Sequence, residues 1–155
     1  MATFEAEGLE ELAYAFLRQE QKATETINAM LEAQADVYVE EQQQAARQYG
    51  INKTGGFIAS LRASETKTEG TQIFKEIVPE GRAPHKADYG GGGAKRKGKS
   101  QKGNVRYATI GYIFEYGTSS MAARPWLTRG NLKAEDKAYN KAKEIWDKYV
   151  DESFK

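Results

Sequence analysis

Residues 105–127 read VRYATIGYIFEYGTSSMAARPWL, and the division of this stretch into elements decides the fold. The β-branched and aromatic residues from Val105 to Ile110 predict a strand at about 105–110. Gly111 permits a change of direction. Tyr112–Gly117 then fits either a continued strand or one helical turn, and both readings stay open. Gly117, Thr118, Ser119 and Ser120 form a turn signal. Glycine supplies a positive φ or a close approach, and Thr118 or a following serine can bond the local backbone. Pro125 suits the first position of a helix, where its missing N–H is not needed.

Downstream, a final amphipathic helix is expected from about Leu132 to Ser153. Its apolar face carries Leu132, Tyr139, Ala142, Ile145, Trp146, Tyr149 and Val150 at three-and-four spacing, with lysines and acids opposite.

Upstream, residues 81–104 read GRAPHKADYGGGGAKRKGKSQKGN. Four consecutive glycines and clustered lysines predict a long flexible basic loop. Before it, LRASETKTEGTQIFKEIVPEG reads as a hairpin turning at Gly70 and ending at Pro79 and Gly81. INKTGGFIASL predicts a short helix capped by Thr54, with Phe57, Ile58 and Leu61 buried. Residues 8–48 are proline-free and rich in Ala, Glu, Gln, Leu and Lys, which predicts one long N-terminal helix stopped by Gly50. Its apolar stripe is thin: Leu9, Leu12, Phe16 and Leu17, then Ile27, Met30, Leu31, Val37 and Tyr38. A long helix with a sparse stripe lies across a sheet or against a partner subunit. The fold class expected is α+β: a long N-terminal helix, a small antiparallel sheet with the basic loop, and a C-terminal amphipathic helix, in a single domain over 1–155.

Composition narrows the chemistry. There is no cysteine, so disulfides, thiolate metal sites and a cysteine nucleophile are excluded. The single histidine, His85, lacks a partner at a telling spacing and reads as an exposed loop residue. Gly90–Gly93 lacks the Lys-Ser/Thr ending of a phosphate loop. Glu115, among aromatics, is a candidate general acid, yet one carboxylate without a second polar group makes a poor active site. A structural glutamate bonded to a backbone N–H or an arginine is the more ordinary reading. No enzyme activity, cofactor or metal is expected. No apolar run approaches the roughly 18 residues of a membrane helix, and the acidic N-terminus lacks the basic region of a secretory signal, so a cytosolic protein without membrane contact is expected.

The net charge of +1 conceals an asymmetry: residues 1–50 carry −7 and residues 51–110 carry +7. Such a chain can associate head to tail with copies of itself or turn its basic section toward nucleic acid. Arg82, Lys86, Lys95, Arg96, Lys97, Lys99, Lys102 and Arg106 are the candidate DNA or partner contacts. Tyr112, Glu115, Tyr116, Gly117, Thr118, Arg124, Pro125 and Trp126 are the candidate interface or turn-fixing residues. Tyrosine, tryptophan and arginine are favoured where binding energy concentrates. A Glu115–Arg124 pair would fix the turn if internal, or build an assembly if formed between subunits.

The order TGGFIASL, hairpin, RYATIGYIFEYGT, ARPWL and final amphipathic helix resembles the head–tail joining, or tail-completion, family of long-tailed phages, lambdoid and gp-ten-like. The resemblance spans about residues 8–150. Thr54, Gly55 and Leu61 stand for its Thr-Gly and small helix, and Tyr107 or Tyr112 with Ala108 for its Tyr-Ala. Glu115, Tyr116, Gly117 and Thr118 stand for its acid–aromatic turn. Ala123, Arg124, Pro125, Trp126 and Leu127 form its closing motif, with tryptophan in place of the usual phenylalanine. The resemblance implies a non-enzymatic virion subunit, assembled in the host cytoplasm. It implies a homo-oligomeric ring at the neck, sixfold in the virion, between head connector and tail-tube proteins, with its loop able to meet DNA in the lumen. The alternative is a basic-loop protein that binds double-stranded DNA on its own.

Overall fold

In the computed structural model, residues 9–51, 55–83 and 105–153 are described. The architecture is α+β. Helix α1 spans Leu9–Gln48, α2 Gly56–Ser60, α3 Tyr107–Tyr116 and α4 Trp126–Ser153. Among the described residues, six short strands lie between α2 and α3: β1 (Leu61–Ala63), β2 (Lys67–Glu69), β3 (Gln72–Phe74), β4 (Ile77–Pro79), β5 (Arg82–Ala83) and β6 (Val105–Arg106).

The long N-terminal helix forms where expected and ends in a left-handed Gly50 at φ 69. The hairpin forms too, but in two parts. β2 and β3 pair around Gly70, whose φ of 60 suits a two-residue turn. β1 and β4 pair below them, with Arg62 opposite Val78. The register slips by one residue between the two ladders. Ser64 absorbs the slip: its N–H donates to the Glu76 carbonyl at 2.7 Å, and the Glu76 N–H donates to its hydroxyl at 3.0 Å. β5 and β6 pair antiparallel, Arg82 opposite Arg106, and bring together the two chain ends that border 84–104.

The core lies at one end of the molecule. Phe57 and Ile58 from α2, Leu61, Ala83, Tyr107, Ile110 and Phe114 pack with Ala45, Ala46 and Ile51 under Trp126. The buried side of the short helix is as expected. The expected cap, Thr54, lies outside the described residues. Gly55 occupies the cap position with φ 81 and no side-chain bond.

α4 runs antiparallel to α1. Gln42 Nε2 donates to Asn131 Oδ1 at 2.8 Å, Lys137 pairs with Glu41, and Tyr149 Oη donates to Gln19 Oε1 at 3.5 Å. The buried face of α4 is the expected one only in part: Ala142 is buried and Ile145, Tyr149 and Val150 are half-buried. Gly130, Ala134, Ala138 and Ala142 are buried at every fourth position, while Leu132, Tyr139 and Trp146 are exposed. Small residues allow the helix backbones to approach. A Cβ on Gly130 would sit 2.9 Å from Gln42 Cα, so glycine is required by contact at that crossing. α4 begins at Trp126, next to the Pro125 expected at a helix start and ahead of the apolar stripe expected from Leu132, with the Pro125 carbonyl accepting from the Arg129 N–H at 3.1 Å.

Candidate assembly surface

The strand expected at 105–110 is a strand only at Val105–Arg106; Tyr107–Tyr116 is helix. Tyr107, Ile110, Gly111, Phe114 and Glu115 are buried at helical spacing. That periodicity overrides the β-branched content of the stretch. It also settles Tyr112–Tyr116 as helix.

α3 is clamped from beneath. The Trp126 indole N–H donates to the Gly111 carbonyl at 3.0 Å, and its ring meets Phe57 edge-on with centroids 5.1 Å apart. Gly111 makes room: a Cβ there would lie 3.1 Å from the Trp126 ring and 3.2 Å from Phe57.

Glu115 and Arg124 do not pair with each other. Glu115 is 6% exposed, and its carboxylate caps α4. One oxygen accepts from the Leu127 N–H at 2.7 Å, and the other accepts from the Thr128 N–H at 3.1 Å and from the Thr128 hydroxyl. The first turn of a helix has N–H groups without partners and a positive dipole end, so a carboxylate supplied by another helix answers both. Arg124 turns the other way. Its backbone N–H donates to the Phe114 carbonyl at 2.6 Å, its guanidinium donates to the Tyr49 carbonyl at 3.3 Å, and the guanidinium lies 5.5 Å over the Phe114 ring. A backbone N–H was one of the partners the sequence offered Glu115, but that it belongs to Leu127 and Thr128 depends on how α3 meets the start of α4 in space.

Between the helices, Thr118 and Met121 bond backbone to backbone in both directions, at 2.9 and 3.2 Å. The Thr118 hydroxyl accepts from the Ser120 N–H at 3.3 Å. Gly117 is obligatory. Its φ is 75, and a Cβ would stand 2.6 Å from the Met121 carbonyl oxygen and 2.7 Å from the Ala123 nitrogen.

The candidate residues therefore divide by role. Glu115, Gly117, Thr118, Pro125 and Trp126 fix the α3–α4 junction. Trp126 is 2% exposed, which removes it from any contact surface. Tyr112 and Tyr116 are 65% and 67% exposed, with rings 4.7 Å apart on the outer face of α3. Further apolar side chains that sequence reasoning assigned to the α4 interior face outward: Leu132, Tyr139 and Trp146. The four-residue repeat Gly130-Ala134-Ala138-Ala142 was the signal that marks the true packing face.

Arg82 and Arg106 stand opposite one another across β5 and β6. Lys86, Lys95, Arg96, Lys97, Lys99 and Lys102, with His85, lie outside the described residues. Among the described residues no cluster of His, Cys, Asp or Glu could hold a metal ion, and no helix is long and apolar enough to cross a membrane. Compared with protein-family models, with curated proteins and with solved structures, the chain matches none.

Proposed function

We propose that this protein is a non-enzymatic structural subunit of a long-tailed phage or prophage, forming a ring at the neck that joins or completes the tail. The observation that carries the reading is Tyr112 beside Tyr116, exposed on a helix locked from beneath by Trp126, Glu115 and Gly117. Tyrosines held this way offer contact area at little entropic cost, which is how assembly surfaces are built. The motif order from Thr54 to Leu127 supports the same role. Its partners are further copies of itself, the head connector and the tail tube. The mechanism is complementary fit, with no bond transformed.

The test is removal of this subunit from the phage that encodes it. Electron microscopy is expected to find filled heads and tails that remain unjoined. Intact, infectious particles would overturn the reading.

A second reading has its own observation. Arg82 faces Arg106 at the paired chain ends that border the lysine-rich segment. Like charges placed opposite each other cost stability in a ladder and suit a polyanion. Duplex affinity that falls steeply with salt is expected on this reading, and no binding at low salt excludes it.

A further inference from the structure

α4 has a second apolar side. Leu132, Tyr139 and Trp146 recur at a spacing of seven and stand 60%, 64% and 44% exposed. At about 100° per residue they lie roughly a quarter-turn round the helix from Ala138, Ala142, Ile145 and Tyr149. Those four form the α1-facing side, where Ile145 lies near Ala29 and Tyr149 bonds Gln19. Asp136, Lys143 and Val150 interleave with the exposed three, so 132, 136, 139, 143, 146 and 150 form one line at steps of four, three, four, three and four. That is the spacing of a coiled-coil seam. The Trp146 ring is steadied by Tyr149, with centroids 5.5 Å apart.

The charges within the line select its occupant. The steps read the same from either end, so a second copy of α4 laid antiparallel matches every position. Leu132 then stands against Val150, Asp136 against Trp146, and Tyr139 against Lys143, each pair formed twice. A lysine ammonium against a tyrosine ring is a favourable cation–π arrangement. The Asp136 carboxylate meets an indole, whose N–H is a donor, and stands one turn from Lys143 of the second copy. Lys143 also pairs with Asp147 of its own chain, so it enters the seam beside a carboxylate. At the flank, Lys133, which bonds Gln48 at 3.3 Å, comes level with Asp147 of the second copy. Laid parallel, the two helices would instead set Asp136 against Asp136 and Lys143 against Lys143, and like charges so placed exclude that direction.

We infer that α4 pairs antiparallel with α4 of a second copy, with Leu132, Tyr139 and Trp146 at the contact. The line from Leu132 to Val150 is about 27 Å long, short for a free-standing coiled coil. Packing on α1 has already ordered α4, so association does not carry the cost of forming the helix. The contact is isologous and closes at two copies. It goes beyond the neck reading and does not rest on it.

The chain has no cysteine, so crosslinking reports the direction of pairing without background. Leu132→Cys and Val150→Cys, mixed and oxidised, are expected to join through a disulfide between positions 132 and 150, while Leu132→Cys alone crosslinks far less. Sedimentation velocity up to millimolar protein is expected to find the unaltered chain dimerising. Leu132→Glu with Tyr139→Glu, both at exposed positions, should weaken the dimer by about tenfold or more, with circular dichroism checking the fold. Asp136→Lys and Lys143→Glu should each weaken self-association, and their mixture should recover it, because each altered charge then meets its opposite.

An unaltered chain that stays monomeric, ready crosslinking of Leu132→Cys with itself, a charge-altered mixture that fails to recover, or association untouched by Leu132→Glu with Tyr139→Glu overturns the inference. So does loss of association on Tyr112→Glu with Tyr116→Glu alone, which would place the contact on α3. The assay uses pure protein. A dimer that persists beside joined, infectious particles lacking the subunit would sink the neck role and leave the pairing standing.

Discussion

Replacing Glu115 probes the junction directly. In the folded chain its two oxygens take the Leu127 N–H, the Thr128 N–H and the Thr128 hydroxyl. Glu115→Ala leaves two helix N–H groups without an acceptor, while the hydroxyl can rotate to another partner. Loss of a capping side chain costs about 0.5–2 kcal/mol. A hydrogen bond to a charged group contributes about 1.5–3 kcal/mol, and a charge at a helix N-terminus about 0.3–1 kcal/mol. These overlap, since all describe one carboxylate on one helix end. Leu127 is half-buried and Thr128 exposed, so water recovers part of the loss. The expected cost is about 2–4 kcal/mol by urea unfolding, or roughly 5–15 °C in melting temperature for a chain of this size.

Glu115→Gln should cost about 1–2 kcal/mol, because its NH2 faces a donor whichever way the amide turns, leaving one backbone N–H unpaired. Thr128→Val should be nearly neutral in the Glu115→Ala background yet costly alone, giving a coupling energy of about 0.5–3 kcal/mol. A cycle with Arg124→Ala should show no comparable coupling. Amide exchange at Leu127 and Thr128 should accelerate in Glu115→Ala beyond what global destabilisation explains. A cost below about 0.5 kcal/mol, or strong coupling to Arg124 and none to Thr128, would refute the capping argument.

Gly117→Ala forces a Cβ onto backbone at 2.6 Å and a left-handed φ on alanine, so a loss of about 3 kcal/mol or more, or failure to fold, is expected on denaturant titration. Trp126→Phe keeps an aromatic ring against Phe57 but removes the donor to Gly111, and should cost about 1–3 kcal/mol in the same assay. Lys137 and Lys143 both have their pKa raised, each first by its hydrogen bond to a carboxylate, Glu41 and Asp147 respectively, and then by the charge of that carboxylate. A raised lysine pKa contributes stability below the ordinary lysine range and loses it as pH rises through the folded value, so thermal melts should weaken only at strongly alkaline pH. Glu41 is buried whereas Asp147 is exposed, so Lys137→Met should lower the melting temperature more than Lys143→Met. Equal effects would show that burial of Glu41 does not matter.

The elements best read from the sequence are those whose signals are local. α1 follows from forty residues of strong helix formers without proline, and the hairpin from Gly70 between a Ser/Thr-rich run and the alternating run that follows it. The junction was harder. Val105–Ile110 has strand propensity, yet Tyr107, Ile110, Gly111 and Phe114 are spaced to bury one side of a helix, and burial outweighs propensity. For α4, large apolar residues drew the eye to Leu132, Tyr139 and Trp146, whereas the close helix crossing selects Gly130, Ala134, Ala138 and Ala142. In the candidate site, Glu115 could be singled out but not its partner. The choice between Arg124 and the first turn of α4 depends on where that helix begins in space.

The amino-acid order alone determined that the chain is α+β, that its two halves oppose each other in charge, and that a glycine turn leads through Arg-Pro-Trp into the last helix. Helix propensity, turn chemistry and charge are properties of neighbouring residues, so they survive without the fold. Only the tertiary structure decided which apolar residues are covered. Trp126 went inside and Tyr112 stayed outside because burial depends on what lies opposite: the Phe57 ring, far from Trp126 in the chain, meets its indole, while Tyr112 stands on the outer side of α3.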